Sequence, residues 1–189
     1  MSRAPISRYP VPALDELPDD LRQRIEAVAE RSGFVPNVFV ALAHRPDELR
    51  AFIAYHDAVM ERDSGLTKAE RELIVVATSA ANDCLYCVVA HGAILRIRSK
   101  RPLLADQVAV SWRHADLSER ERAICEAATV LAVEPGHFSD EHRDRLRAVG
   151  LDDDDIWDLG AVTALFALSN RMAHLLELRP NDEFYGLGR

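Results

Sequence analysis

The sequence is poor in the residues that turn or staple a chain. Its 189 residues include 8 glycines, 3 cysteines and only 6% aromatics. Three cysteines make a poor disulfide framework, which needs pairs. Nowhere do apolar and polar residues alternate over a strand-length run, so no sheet is expected. Positive charge is also short: 23 Lys and Arg against 31 Asp and Glu leave a formal net charge of −8. No basic run stands ready to displace phosphate counterions, which argues against a nucleic-acid binder. The nearest candidate, "RIRSKR" from Arg96 to Arg101, falls where a helix should end, and basic residues there complement the helix dipole. The opening residues lack the apolar core of a signal peptide, and no later uncharged apolar run reaches the ~18 residues needed to span a membrane. The expectation is a cytoplasmic protein with neither nucleic acid nor membrane as partner, whose thiols are normally kept reduced.

What the chain does have is ordinary for a globular domain, with 48% hydrophobic and 29% charged residues. That is enough for one hydrophobic core, or for two small lobes sharing one. Alanine and leucine abound, favouring helix. Pro5, Pro10, Pro12 and Pro18 make residues 1–18 an extended arm. Helical patterning starts near Asp19 and stops at Gly33, and Pro46 fits the first turn of a helix running to about Asp63. Thr67 with Glu70 reads as a capping box opening a helix through about Ala81. "LTKAERE" at Leu66, "LSERERA" at Leu117 and, more loosely, "LDDDDIWDL" at Leu151 repeat this device. The expected fold is all-α, with two quasi-repeated helical lobes packed as one domain: residues 19–98 and 99–189. The last helix, Asp152 to about Glu177, is nearly apolar between Leu159 and Leu168. It should be buried on most sides, by the other lobe or by a second subunit.

The chemistry concentrates in "NDCLYCVVAH", Asn82 to His91. Asn82 and Asp83 read as N-cap residues of a new helix, with Cys84, Cys87 and His91 following at spacings of three and four along one stripe. Three readings are open: a redox pair, half of a zinc site, or two small apolar residues in a core. A free thiol with pKa ~8.5 is only about 3% ionised at pH 7. A helix start and a histidine one turn away would both favour the thiolate. Such a histidine needs its other ring nitrogen held, commonly by a carboxylate, and the candidate is Glu72 on the preceding helix. Sequence alone equally allows Glu72 to be a surface residue. Cys125, among apolar residues, reads as core. His44, His56, His114, His137, His142 and His174 are scattered and read as structural, with His56 and His174 placed to line a pocket. Tyr86 either packs or offers a hydroxyl near the thiols.

Glu72, Cys84-Leu-Tyr-Cys87 and His91 together closely resemble the Glu…Cys-x-x-Cys-x₃-His motif of the AhpD-like alkylhydroperoxidases, within the carboxymuconolactone decarboxylase superfamily. Residues 66–95 carry the specific match. "GFVPNVFVALAHRP" and "LSERERAICEAATVLA" are similar to the longer, peroxidase-related branch. The resemblance implies an all-helical, oligomeric protein that reduces hydroperoxides with thiols, needing no metal or other cofactor. By position, Cys87 would attack the O–O bond, Cys84 would resolve the sulfenic acid as a disulfide, and His91 with Glu72 would relay the proton. The partners implied are a small hydroperoxide, a thiol or dithiol reductant, and further copies of the chain. The best-studied family members carry a histidine where this chain has Tyr86. Two alternatives remain: a decarboxylase-like lyase using His and Glu as acid and base, and a non-enzymatic thiol redox sensor.

Overall fold

The structure is a computed structural model describing residues 5–189. Among the described residues there are ten α-helices and no strand. They are α1 (Asp19–Ser32), α2 (Asn37–Leu42), α3 (Pro46–Met60), α4 (Lys68–Ala81), α5 (Leu85–Ser99), α6 (Leu104–Ser111), α7 (Glu119–Val133), α8 (Asp140–Ala148), α9 (Asp153–Leu176) and α10 (Glu183–Gly186). The fold is all-α, as the composition and periodicity imply.

Local chemistry sets the helix ends. Gly33 closes α1 at φ 83°, a left-handed conformation that costs glycine no Cβ clash. Pro46 occupies the first turn of α3, where no N–H is needed. The repeated motifs act alike: Thr67 accepts from the Glu70 N–H, Ser118 from the Glu121 N–H and Asp152 from the Asp155 N–H.

Helix α4 is the axis of the molecule. It is buried without a break from Arg71 to Ser79 and packs against α5, α6, α7 and α9. Ile74 and Val75 of α4, Ile124 of α7, and Leu159, Val162 and Phe166 of α9 share one core. The two halves of the chain therefore bury their apolar faces against each other. Their helix starts are also tied: Arg71, fully buried, donates to Asp158 at 2.7 Å, to the Val59 carbonyl at 2.7 Å and to Ser64 at 2.7 Å. Asp155 accepts from the Gly65 N–H at 2.7 Å, so close that a Cβ at Gly65 would collide with the carboxylate.

Two details depart from expectation. Arg96 is not a solvated helix-end charge; it is buried and donates to the carbonyls of Phe184 and Leu187, each at 2.9 Å. It thereby clasps the C-terminal segment to α5. Helix α9 is long and apolar enough to cross a membrane by length and composition, but half of its apolar window is buried inside the protein. It is a core helix here. The described part of the N-terminal arm is fixed by backbone bonds, Arg8 N–H to the Leu176 carbonyl at 2.8 Å and Arg179 N–H to the Ile6 carbonyl at 3.0 Å.

Candidate active site

Between α4 and α5 the chain reverses within three residues. Asn82 ends α4, its side-chain amide donating to the Thr78 carbonyl at 2.9 Å and to Asn170 at 3.2 Å. Asp83 takes a left-handed conformation, φ 52°, which aspartate tolerates better than most residues. The N-cap of α5 is thus Cys84 itself, one residue beyond the pair expected from sequence. The reason is the tight reversal: the Asn82 side chain is spent on α4, and Asp83 supplies the turn.

Both thiols are free and each is buried to 2% exposure. They are electrostatically unequal. The Cys84 pKa is lowered to about 6, first by a hydrogen bond from the Cys87 thiol, against the cost of burial, with help from the Cys87 backbone N–H, Asn170 and the charge of His174. Donating that bond, together with burial, pushes the Cys87 thiol well above its usual value. The surroundings thus favour a negative charge on Cys84, supported by the Cys87 proton. Cys87 also lies 3.8 Å from the Ser169 hydroxyl of α9.

Helices α4 and α5 run antiparallel, since Ser79 meets Cys84 at one end and Glu72 meets His91 at the other. His91 Nδ1 donates to Glu72 Oε2 at 2.8 Å. A carboxylate can only accept, so this bond places a proton on Nδ1. Glu72 is buried among aliphatic neighbours, and the imidazole is the partner that makes burial of its carboxylate tolerable. The His91 ring meets Phe166 edge-on at 4.6 Å. On the other side of Phe166 lies His56, 6.5 Å away. Its pKa is lowered by burial first and by the charge of His91 second.

The structure thus gathers Cys84, Cys87, His91 and Glu72 on facing stretches of two helices. The Tyr86 hydroxyl is not offered to the thiols; it accepts from the Val38 N–H at 3.1 Å, and the ring packs edge-on to Phe184. Cys125 is fully buried in the core and its pKa is raised by that burial. His174 donates from Nε2 to the Asn82 carbonyl at 2.8 Å, beside the site. His114, His137 and His142 bond to residues three positions away on the surface. Sequence reasoning passed over Ser169 and Asn170, which α9 presents to the cysteine pair. The available signal was an adjacent serine and asparagine inside an otherwise apolar helix. Among the described residues no group of three or more His, Cys, Asp or Glu side chains is arranged to hold a metal ion.

A cleft of about 340 Å³ opens beside the pair, between Asp83–Tyr86 on one wall and Ala173–Arg179 of α9 and its continuation on the other. Cys84 lines it and Cys87 does not.

Residues 46–129 match the carboxymuconolactone decarboxylase family. No match is found among curated proteins. Among solved structures, an uncharacterised peroxidase-related protein with an alkylhydroperoxidase AhpD core from Ralstonia eutropha JMP134 is 60% identical, with a TM-score of 0.97 over 99% of this chain and 98% of that one. An uncharacterised peroxidase-related protein from Silicibacter sp. TM1040 is 35% identical, with a TM-score of 0.93 over 100% of this chain and 99% of that one. The debrominase Bmp8 shares the fold at 20% identity, with a TM-score of 0.77 over 95% of this chain and 93% of that one. Helical architecture, motif and whole-length likeness agree: the chain belongs to the AhpD-like, peroxidase-related branch of the carboxymuconolactone decarboxylase superfamily, a family of enzymes.

Proposed function

We propose that the protein is a thiol peroxidase that reduces small organic hydroperoxides with the Cys84/Cys87 pair and is itself restored by a thiol or dithiol reductant. The observation that carries this reading is the 2.8 Å bond between His91 and Glu72 on the helix stripe of a free cysteine pair. A thiolate attacks the terminal peroxide oxygen, the O–O bond breaks, and the alcohol leaves with a proton. The sulfenic acid so formed is displaced by the second thiol, giving the Cys84–Cys87 disulfide and water. The balance is two thiols and one hydroperoxide in, one disulfide, one alcohol and one water out. His91 Nε2 takes the proton from Cys87 one turn earlier on α5, and Glu72 stabilises the imidazolium. No cofactor enters this scheme.

The protein would act in the cytoplasm, as a homo-oligomer. Support for the latter is the outer face of α9, where Trp157 is 75% exposed and Leu168 and Leu175 are each 54% exposed. Tyr55, Phe138, Ile156 and Trp157 line a groove of about 570 Å³ there. A large apolar face of this kind marks an interaction surface.

The test is stoichiometric. Reduced protein mixed with tert-butyl hydroperoxide should lose two thiols per hydroperoxide consumed and yield the Cys84–Cys87 disulfide by peptide mapping. Hydroperoxide left intact over a reduced protein would sink the proposal. So would disulfide formation by molecular oxygen alone at the same rate, which would favour a sensor.

A further inference from the structure

The two sulfurs are placed differently with respect to the outside. Cys84 is the N-cap of α5 and lines the cleft, while Cys87 sits one turn further along α5, against Ser169 of α9, and does not line it. Of the two cysteines, Cys84 is therefore the one that borders the space a solute would enter. The groups around that sulfur are donors: the Cys87 backbone N–H, the Cys87 thiol and the Asn170 side chain. Those around Cys87 instead suit a step of proton removal, because His91, held by Glu72 through Nδ1, follows it by one turn.

Taking the peroxidase reading above as its premise, we infer that Cys84, not Cys87, is the thiol that meets the external reactant, and that the cleft is the single port for hydroperoxide and reductant in turn. In the first half-reaction the Cys84 thiolate attacks the peroxide oxygen, the O–O bond breaks, and the alkoxide leaves as the alcohol after protonation. Cys84 is now a sulfenic acid. Cys87 gives its proton to the His91–Glu72 pair, attacks the Cys84 sulfur and expels hydroxide, which that proton converts to water. In the second half-reaction a reductant thiolate enters the same cleft and attacks the Cys84 sulfur. Cys87 departs as the thiolate and, by way of His91, takes up the proton that the reductant thiol released on ionising. A second reductant thiol then releases Cys84 by closing the reductant's disulfide. The resemblance alone gives the leading role to Cys87; the placement of the cleft reverses it.

The cleft also narrows the substrate. About 340 Å³ lies at the small end for ligand pockets. Its walls combine the rings of Tyr86 and Tyr185 with Arg179 and His174. That suits a compact organic hydroperoxide or the tip of a dithiol arm, and not an extended lipid hydroperoxide.

The experiment uses full-length protein, tert-butyl hydroperoxide in single turnover, dimedone as the sulfenic-acid trap, and peptide mapping. In Cys87→Ser the dimedone adduct should form on Cys84 about as fast as wild-type protein forms its disulfide. In Cys84→Ser the Cys87 adduct should form at least about tenfold more slowly, because Cys87 does not line the cleft and its burial still opposes the thiolate. A second measurement needs no variant: limiting iodoacetamide at pH 7 should label Cys84 of the reduced wild type before Cys87. If Cys87 is labelled first, or if its adduct in Cys84→Ser forms at the wild-type rate, the order is overturned while the peroxidase reading stands. If wild type consumes no hydroperoxide, both fall.

Discussion

Glu72 and His91, nineteen residues apart in the chain, are joined at 2.8 Å across the α4–α5 interface. Neither is a remarkable residue alone; the antiparallel packing of two helices makes them a unit. Changing Glu72→Gln keeps the shape and a hydrogen bond to the ring but removes the charge that stabilises imidazolium. Disulfide formation in a single turnover with hydroperoxide should slow by roughly a hundredfold, the lower end of what a positioned acid–base group contributes. Helix content by circular dichroism should be unchanged. A wild-type rate in the variant would mean that the pair is only a packing device.

The charge on Cys84 gives a pH signature. With its pKa lowered to about 6, the rate of iodoacetamide labelling at Cys84 should rise from pH 5 and level off by pH 7. An ordinary thiol would still be gaining at pH 8. The sign for stability follows from linkage: the folded pKa lies below the unfolded one. The contribution is therefore full above the unfolded thiol pKa, shrinks as pH falls, and is gone below about pH 6. Urea denaturation of the reduced protein should show this extra stability at pH 8 over pH 6, and Cys84→Ser should lose the difference. A labelling midpoint near pH 8.5 would contradict the site electrostatics described above.

Arg71 is fully buried, and its partner Asp158 nearly so. Replacing Arg71→Met leaves the buried Asp158 carboxylate with the half-exposed Arg62, at 3.5 Å, as its ion-pair partner. The expected loss is about 3 kcal/mol of folding stability, the lower end for breaking a buried pair, since Arg62 offsets part of the charge. The double change Arg71→Met with Asp158→Leu should recover most of it. Denaturant midpoints of wild type and the two variants decide the matter, and a single variant as stable as wild type would be incompatible with the burial described.

Tyr86 separates structure from chemistry. Its hydroxyl holds the Val38 N–H, so Tyr86→Phe should cost about 0.5–1.5 kcal/mol, the worth of one hydrogen bond. The rate of disulfide formation should stay within about twofold of wild type, because the hydroxyl is bonded to the Val38 N–H and not to a thiol. A collapse of the rate with stability intact would give the hydroxyl a chemical role.

The outer face of α9 predicts assembly. Trp157→Glu puts a charge where an apolar groove is exposed, and the native mass by light scattering should fall relative to wild type, with the monomer remaining folded. An unchanged mass would remove this face from the interface.

Much of this was legible in the sequence wherever the causes are local. The capping boxes at Thr67, Ser118 and Asp152 each act over three residues, and Pro46 and Gly33 act where they stand. The four candidate residues, Glu72, Cys84, Cys87 and His91, were visible because helical spacing and a family motif coincide. Causes acting across the chain were hidden. Glu72 alone does not reveal whether it faces water or His91. Arg96 carries no mark of the carbonyls of Phe184 and Leu187 that it holds. Ser169 and Asn170 reach the thiols only because α9 lies against them. The shift of the α5 N-cap from Asn82 or Asp83 to Cys84 had the same origin, since the Asn82 amide is claimed by α4 and by Asn170.

The wall of the cleft is shared by distant parts of the chain. Residues between Ala173 and Tyr185 face Asp83–Tyr86 across it, and Ser169, Asn170 and His174 stand by the cysteine pair only because α9 packs there. The surroundings of Cys84 and Cys87 are therefore a property of the folded chain. In an unfolded one the same residues are two ordinary thiols, about 3% ionised at pH 7.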